Sequence, residues 1–238
     1  MATTDAASRE PARHDPLQDD PAVVAWLGDA FPLLRRFGEL LADEGLVRGL
    51  IGPREVPRLW ERHLLNCAAV AAHVPAGVVA DVGSGAGLPG VVVAALRPDV
   101  RVVLVEPMAR RVAWLETVVR ELGLDTEVAR ARAEDLHGRL LVDGVTARAV
   151  APLDRLATWT LPLLRESGEL LALKGESASE ELRAARPALR GGRPPGGPPP
   201  PGRGGAGGGA AAAPAAPERR GRSGGGSRQP GGARRGRR

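Results

Sequence analysis

The stretch VVADVGSGAGLPGVVVAAL, residues 78–96, indicates how the rest of the chain folds, because it places four glycines between two apolar runs. The run before the glycines is typical of a buried strand, and the run after them is typical of a helix. A strand that ends in glycines and leads into a helix can bring backbone N–H groups against a ligand, since glycine has no Cβ to block the approach. The stretch therefore predicts a cofactor-binding loop.

The glycines can be grouped in two ways. Gly83, Gly85 and Gly87 form a G-x-G-x-G, whereas Gly85, Gly87 and Gly90 form the G-x-G-x-x-G of dinucleotide-binding proteins. Asp81 ends the preceding strand, where we expect its carboxylate to face an amine or a cation rather than a pyrophosphate. S-adenosylmethionine carries an amino group and a sulfonium, whereas NAD presents two phosphates, so Asp81 favours the methyl donor. An NAD-dependent oxidoreductase is the second hypothesis.

Two further acidic positions fit a nucleotide-containing cofactor. Glu106 ends the next predicted strand about 20 residues after the loop, where a carboxylate can accept hydrogen bonds from ribose hydroxyls. A solvated strand end is the alternative interpretation of Glu106. Ala133 and Glu134 follow the third predicted strand, at the edge where an adenine would lie, and Ala133 is small enough to leave room for it. These residues fit either cofactor.

The pattern along the chain predicts an α/β protein with a parallel sheet. Short apolar runs at 78–82, 101–106, 126–131, 144–152 and 168–175 alternate with amphipathic helices, and the helix between the last two runs is predicted over 154–166. Helical spacing also runs from Val23 to Leu41, with a break at Pro32, and again over residues 57–74. We therefore expect a Rossmann-like sheet preceded by a helical extension. The predicted organisation is a disordered leader (1–20), an N-terminal helical segment (21–76), a Rossmann-like core (77–189) and a disordered tail (190–238).

Charge is distributed unevenly between body and tail. Residues 1–186 hold 22 Lys or Arg and 27 Asp or Glu, whereas residues 187–238 hold 11 Arg and one Glu. The sequence pI of about 10.9 is therefore a property of the tail. From Arg190 onward there is no Val, Ile, Leu, Met, Phe or Trp, so this segment cannot bury enough apolar surface to offset the entropy of ordering it.

Several function classes lack their sequence features. The single Cys67 excludes an internal disulfide, and no run has the length of a membrane span or of a signal-peptide core, so we expect a soluble cytoplasmic protein without a metal site. The chain lacks G-x-S-x-G, H-E-x-x-H and P-loop motifs, and its four histidines are scattered. Methyl transfer to an exposed lone pair suits such a chain, because alignment of the reactants supplies most of the acceleration.

The sequence resembles the glucose-inhibited division protein B family, also called RsmG. The resemblance covers about residues 21–186 and rests on five segments in the family's order: IGPREVPRLWERHLLNC (51–67), ADVGSGAGLPG (80–90), RAED (132–135), TARAVAPL (146–153) and LLALKG (170–175). It implies a class I S-adenosylmethionine-dependent methyltransferase fold and methylation of N7 of one guanine in 16S ribosomal RNA. The partner would be that RNA or the small ribosomal subunit; no oligomeric state is predicted.

The resemblance also implies site residues. By the resemblance, a cofactor pocket would be formed by Gly83, Leu88, Ala133, Glu134 and Arg148. The residue types and positions discussed above add Asp81, Gly85, Gly87 and Glu106 to this set. Arg62, His63 and Asn66 lie on one helical turn opposite an apolar stripe, so they are candidates for RNA contacts, although His63 also fits a packing role.

Arg148 and Lys174 complete the predicted RNA site. For Lys174, which is the one lysine of the chain, an RNA contact and a plain surface charge are equally compatible with the sequence. Guanine N7 has an unprotonated lone pair, so the implied reaction requires no general base. We therefore predict that no side chain acts as a catalytic acid or base.

The sequence departs from the family near Pro187. Family members continue with a helix and two closing strands, and those last strands are apparently missing here, because Arg190–Arg238 is an arginine- and glycine-rich segment. Two interpretations apply: a disordered RNA-binding extension, or a shifted reading frame in a GC-rich gene, which we favour. An inactive RNA-binding remnant is accordingly a third functional hypothesis.

Overall fold

A five-stranded parallel sheet forms the centre of the computed structural model, which describes residues 15–190. Its strands are β1 (Gly77–Val82), β2 (Val100–Val105), β3 (Thr126–Ala129), β4 (Val142–Arg148) and β5 (Leu164–Leu173), in the spatial order β3-β2-β1-β4-β5. The predicted α/β class is confirmed. The predictions for residues 1–14 and 191–238, which include most of the leader and nearly all of the tail, lie outside the described residues.

Seven α-helices accompany the sheet within the described residues. They are α1 (Pro21–Leu27), α2 (Phe31–Leu40), α3 (Leu65–Ala71), α4 (Gly90–Leu96), α5 (Ala109–Leu122), α6 (Leu153–Thr160) and α7 (Ala178–Arg190). A π-helical segment, Trp60–Leu64, leads directly into α3. The helices cover both faces of the sheet, which explains why β1 and β2 are almost continuously apolar.

Successive strand residues pack into different cores. Val79, Val102 and Leu104 belong to one buried cluster, whereas Ala80 and Val103 belong to another. This is the period-two alternation of a strand. The N-terminal helices share the first cluster with α4 and α5, through buried residues that include Leu34, Phe37, Trp60, Val91 and Trp114. The helical extension thus covers the helices next to the glycine loop.

The break in the first helical region lies earlier than predicted. Residues Gly28–Ala30 form a 3₁₀ turn between α1 and α2, and Pro32 lies inside the first turn of α2. The missing N–H of a proline costs nothing there, because first-turn N–H groups have no partner within the helix. The expectation of a break at Pro32 was therefore wrong by about one turn.

Residues 15–20 are ordered, unlike the leader predicted for residues 1–20. Asp15 is buried, and its Oδ2 accepts hydrogen bonds from the backbone N–H groups of Trp60 (2.7 Å) and Glu61 (3.2 Å). A carboxylate placed there caps the start of the segment that leads into α3. Because the capped residues lie 45 positions further along the chain, no local pattern predicts this contact.

The region after β3 also differs from prediction. The sequence predicts a helix to residue 166 and a strand over 168–175, but α6 ends at Thr160 and β5 begins at Leu164. The reason is tertiary, because Leu164 pairs with Val142 in the sheet and Arg165 forms an ion pair with Asp143 (2.6 Å). For the same reason β4 occupies Val142–Arg148 rather than the predicted 144–152.

Strand order determines where a ligand can bind. The chain adds β2 and β3 on one side of β1 and then β4 and β5 on the other, so the order reverses between β1 and β4. Open parallel sheets bind ligands outside the carboxyl ends of the strands at such a point. Within residues 15–190 no further strand pairs with the outer edge of β5.

Candidate functional site

Two cavities lie at the carboxyl ends of the strands. The first encloses about 260 Å³. Its lining comes from the carboxyl ends of β1 and β2, from the residues after β1, β2, β3 and β4, and from two side chains of α5 and α6: Val82, Gly83, Val105–Met108, Arg111, Ala131–Glu134, Ala149, Val150 and Trp159. Four predicted cofactor residues, Gly83, Glu106, Ala133 and Glu134, line this cavity. The structure therefore brings together residues that are up to 51 positions apart in the chain.

The glycines of the loop have different surroundings. Gly83 lines the first cavity with φ +71°, and a Cβ at this position would lie 2.7 Å from Cγ2 of Val150. Gly87 has φ +101°, and its Cβ would lie 2.7 Å from Val91 and 3.2 Å from the ring of Phe37. Gly83 is thus required by the cavity wall, whereas Gly87 is required by the packing of the helices. Neither Gly85 nor Gly87 lines the first cavity.

Glu106 fastens the glycine loop to the end of β2. Its carboxylate is 1% exposed, with Oε2 accepting from the Gly85 N–H (3.0 Å) and Oε1 from the Met108 N–H (2.9 Å). The interpretation of Glu106 as a solvated strand end is therefore wrong. Each carboxylate oxygen has two lone pairs, so both can also accept a hydrogen bond from a ligand hydroxyl in the cavity.

Asp81 does not face either cavity. It is 1% exposed, its Oδ2 accepts from the Gly90 N–H (3.1 Å), and its Oδ1 accepts from the Thr146 hydroxyl (2.9 Å). The expectation that this carboxylate faces a ligand amine is therefore wrong in this structure. The physical reason is the strand pleat, which directs Val82 to the cavity and the preceding side chain to the opposite face.

Burial raises the pKa of Asp81 to about 6, although the hydrogen bonds from Thr146 and Gly90 and the charge of Arg148 oppose the increase. The folded-state pKa lies above the ordinary aspartate value of 3.8, so the folded chain keeps a proton that the unfolded chain loses first. Stability from this group is complete below pH 4 and is lost as the pH rises through 6.

We expect the substitution Asp81→Asn to remove this pH dependence. An asparagine resembles the protonated acid, since its amide oxygen can accept from Gly90 and its NH₂ can donate to the Thr146 oxygen. Between pH 4 and pH 7 the free energy of unfolding of the wild type should fall by about 2 kcal/mol relative to the variant. Urea denaturation at both pH values measures this difference, and a difference that stays constant with pH would contradict the assignment.

The second cavity has a different character. It encloses about 700 Å³ and is lined by residues from the N-terminal helices, from the loop after β4, and from β5 and the segments after it: Arg62, Asn66, Val70, Arg148, Ala149, Ala172, Leu173, Lys174, Gly175 and Glu181. Four of the five predicted RNA residues, Arg62, Asn66, Arg148 and Lys174, line it. Ala149 lines both cavities, which adjoin at the end of β4.

The cations of the second cavity differ in their partners. Arg62 forms an ion pair with Glu55 (3.2 Å), and Lys174 forms one with Glu181 (2.8 Å). The side chain of Lys174 is 13% exposed and also donates to the carbonyl of Ala151, so its interpretation as a plain surface charge is wrong. The Lys174 ammonium and the Ser177 hydroxyl lower the pKa of Glu181. Lys174 thus holds α7 against the loop after β4.

Arg148 has no such partner within residues 15–190. Its Nη1 lies 3.9 Å from Sγ of the buried Cys67, and none of the ion pairs formed by described residues involves Arg148. Burial raises the pKa of the Cys67 thiol to about 12, so the thiol is neutral. The guanidinium of Arg148 is therefore available to an anionic ligand in the second cavity.

His63 and Asn66 form hydrogen bonds with other residues of the protein. His63 is not among the residues that line the second cavity, and its Nε2 lies 2.8 Å from Oε2 of Glu55. Burial and the nearby Arg148 charge lower the pKa of His63, whereas Glu55 raises it. Asn66 lines the cavity, but its Nδ2 donates to the carbonyls of Glu61 (3.3 Å) and Arg62 (3.0 Å).

Sequence reasoning missed some residues of the first cavity and misplaced one. Leu88 is buried in the core beneath the loop and does not line either cavity. Met108 and Arg111 do line the first cavity, and their signal was their position just after Glu106. Trp159 reaches the cavity from α6, and no motif near it marks that role. The Arg111 Nε is buried without a hydrogen-bond partner.

These features define a class of protein. A parallel sheet whose order reverses beside β1, a glycine loop after that strand and a buried carboxylate at the end of β2 characterise a Rossmann-like protein that binds a nucleotide-containing cofactor. The family model of rRNA small subunit methyltransferase G, GidB, matches residues 31–190. The chain belongs to this family, and the predicted class of rRNA methyltransferase is confirmed. Membership does not favour the NAD-dependent alternative.

Curated relatives support the assignment. The chain is 58% identical to the ribosomal RNA small subunit methyltransferase G of a Nocardioides species over 188 residues, which cover 78% of this chain and 74% of the relative. It is 62% identical to the enzyme of the same name from Beutenbergia cavernae over 166 residues, which cover 69% and 78%. Among solved structures, Aeropyrum pernix fibrillarin with bound S-adenosyl-L-methionine is 20% identical, with a TM-score of 0.41 and coverage of 54% and 65%.

Two properties of the described residues bear on other predictions. Among residues 15–190 there is no group of three or more His, Cys, Asp or Glu side chains that could hold a metal ion. No helix of the described part of the chain is both long enough and apolar enough to span a membrane.

Proposed function

We propose that this chain transfers a methyl group from S-adenosylmethionine to N7 of a guanine in 16S ribosomal RNA. The cofactor would occupy the first cavity and the guanine the second. The observation that carries the proposal is that the two cavities adjoin at the end of β4 and differ in chemistry. The first combines the glycine loop with two carboxylates, Glu106 and Glu134, and two guanidinium groups, Arg111 and Arg132, which together suit a nucleoside that carries both an ammonium and a carboxylate. The second has a guanidinium without a carboxylate partner, which suits RNA.

The residues of the first cavity fit the proposed cofactor. Gly83 permits close approach to the loop, and the lone pairs of Glu106 suit the two ribose hydroxyls. Buried Ala133 leaves room beside the exposed Glu134, whose carboxylate can accept from an adenine amino group. The unpartnered Nε of Arg111 offers a further donor at this wall. When bound, S-adenosylmethionine would supply an activated methyl group on its sulfonium.

The protein would accelerate the reaction by positioning its reactants. Guanine N7 presents an unprotonated lone pair, so the side chains around the second cavity have no proton to remove. Arg148, which lines the second cavity, would contact an acceptor oxygen of the RNA, either on a phosphate or on the guanine itself. The proposed contribution of the protein is alignment of the two reactants and exclusion of water.

The proposed partner is the small ribosomal subunit or its 16S ribosomal RNA, and the proposed location is the cytoplasm, where that RNA is found. Residues 1–186 carry more acidic than basic residues, so RNA affinity within this part must come from local cations. Arg62 and Arg148, which line the second cavity, are such cations. Arg62 would exchange its ion pair with Glu55 for a phosphate.

Incubation of the full chain with labelled S-adenosylmethionine and with 16S ribosomal RNA or small subunits that lack the modification tests the proposal. We expect label at N7 of a single guanine, mapped by chemical cleavage at the methylated base. NADH is expected not to bind, whereas tight NADH binding would support the oxidoreductase. A folded chain that labels neither naked RNA nor particles contradicts the proposal. In that case, RNA binding that survives bulky replacements of both Gly83 and Gly85 would indicate an RNA-binding remnant.

A further inference from the structure

Ala149 has an unusual backbone conformation. It directly follows β4 with φ +55°, and within residues 15–190 it is the one residue other than glycine with a positive φ. Residues with a Cβ are disfavoured in this left-handed region. Such strain persists where the surrounding structure imposes it, and it is concentrated at functional sites.

The residues on either side of Ala149 serve different cavities. Arg148 lines the second cavity and Val150 lines the first, while Ala149 lines both. In a regular strand, residues two positions apart point to the same face. The left-handed turn at Ala149 breaks that alternation, and the cation of one cavity therefore lies beside the wall of the other.

Contacts on both sides of Ala149 hold this geometry. Val150 packs so closely on the glycine loop that a Cβ at Gly83 would lie 2.7 Å from it, and Arg148 reaches the buried Cys67. After the turn, Lys174 donates to the carbonyl of Ala151 and the Leu153 N–H donates to Glu181 (3.0 Å). Contacts therefore hold the residues on both sides of Ala149, which explains why its strained conformation persists.

We propose that Ala149 positions the methyl donor and the guanine relative to each other, and that the methyl group passes from the first cavity to the second beside its side chain. Its small side chain keeps the boundary between the two cavities open, and its left-handed backbone sets the spacing of donor and acceptor. This inference rests on the proposed function. In the transfer, the N7 lone pair forms the new N–C bond while the electrons of the breaking C–S bond return to sulfur, with no proton transfer and no further reactant.

The substitution Ala149→Asn tests the role of side-chain size. Asparagine tolerates the left-handed region better than most residues with a Cβ, so this change adds bulk at the boundary with little added strain. We expect the affinities for S-adenosylmethionine and for RNA to stay close to those of the wild type, because each ligand loses little of its own cavity. The single-turnover methylation rate at saturating concentrations should fall at least about tenfold, since small misplacements of reactants are costly.

Two further variants serve as controls. Ala113→Asn adds the same side chain on the exposed face of α5, at a residue that lines neither cavity, so it should change neither affinity nor the saturated rate. Ala149→Gly removes the strain and the side chain together. Contacts of the residues on both sides still hold the loop, so this variant should fold at least as stably as the wild type, and a loss of stability would mean that Ala149 is not strained.

The outcomes separate the inference from the proposed function. A wild-type chain that methylates RNA, together with an Ala149→Asn variant of equal saturated rate, overturns the inference alone. An Ala149→Asn variant whose rate is restored by a higher cofactor concentration also overturns the inference alone, because Ala149 would then only form part of the wall of the cofactor cavity. A folded wild-type chain without methylation overturns the proposed function, and this inference with it.

Discussion

The variant Gly83→Ala is expected to bind S-adenosylmethionine at least about tenfold more weakly than the wild type, a loss of ~1.4 kcal/mol or more. Gly83 has φ +71°, which costs a residue with a Cβ about 1–2 kcal/mol. The added Cβ would also lie 2.7 Å from Cγ2 of Val150, so either the loop or Val150 must move at the wall of the first cavity. Isothermal titration calorimetry measures the affinity.

Gly123→Ala is the matched control for this prediction. Gly123 directly follows α5, and its φ of +62° is close to the φ of Gly83. A Cβ at Gly123 would meet nothing within 4 Å. Both variants therefore carry similar backbone strain, and Gly83→Ala alone carries the steric change in the cavity. We expect both variants to lose stability in thermal unfolding, Gly83→Ala more than Gly123→Ala because of its contact with Val150, and we expect Gly123→Ala to retain its cofactor affinity. Equal affinities in the two variants would show that the first cavity does not hold the cofactor.

The variant Glu106→Gln is expected to lower cofactor affinity by about tenfold to a hundredfold, since a hydrogen bond to a charged group contributes about 1.5–3 kcal/mol. Glutamine has nearly the same shape as glutamate but a single acceptor oxygen. The Gly85 and Met108 N–H groups both donate to the Glu106 carboxylate, so one of them would face an NH₂ group instead. The loop would loosen, and a ribose hydroxyl would lose an acceptor.

Calorimetric titration with S-adenosylmethionine measures this loss, and titration with S-adenosylhomocysteine distinguishes its causes. The product shares the ribose but lacks the sulfonium charge, so a loss that arises at the ribose should be similar for both ligands. Glu116→Gln is the control, because Glu116 is exposed on α5 and does not line the first cavity. An unchanged affinity in Glu106→Gln would remove Glu106 from the cofactor site.

The parallel sheet could be predicted from sequence because its three central strands, β2, β1 and β4, are buried on both faces. Continuous apolar runs such as VVADV and RVVLV alternate with helices, and little else than a covered parallel sheet fits that alternation. Element ends were less predictable. The residues from Leu161 to Leu164 continue an apolar helical pattern, yet pairing between Leu164 and Val142 makes the last of them a strand residue.

The candidate site shows the same division. Gly83 and Glu106 were found because each directly follows a strand, and Ala133 and Glu134 because they lie a few residues after β3; parallel strands end at one edge. Asp81 was assigned to the ligand because its position along the chain is right, but the pleat directs its carboxylate to Gly90 and Thr146. Position along a strand thus predicted which residues lie near the site, but it did not predict the direction in which the Asp81 side chain points.

Local order in the chain is therefore enough to establish a Rossmann-like sheet, a glycine loop after β1 and an acidic end to β2, because these features follow from burial and from the freedom of glycine. The tertiary structure decided which charges are available to a ligand. Lys174 is paired with Glu181, whereas Arg148 has no carboxylate partner among the described residues. It also placed Ala149 between two cavities, since a strained backbone is imposed by contacts that lie far apart in the sequence.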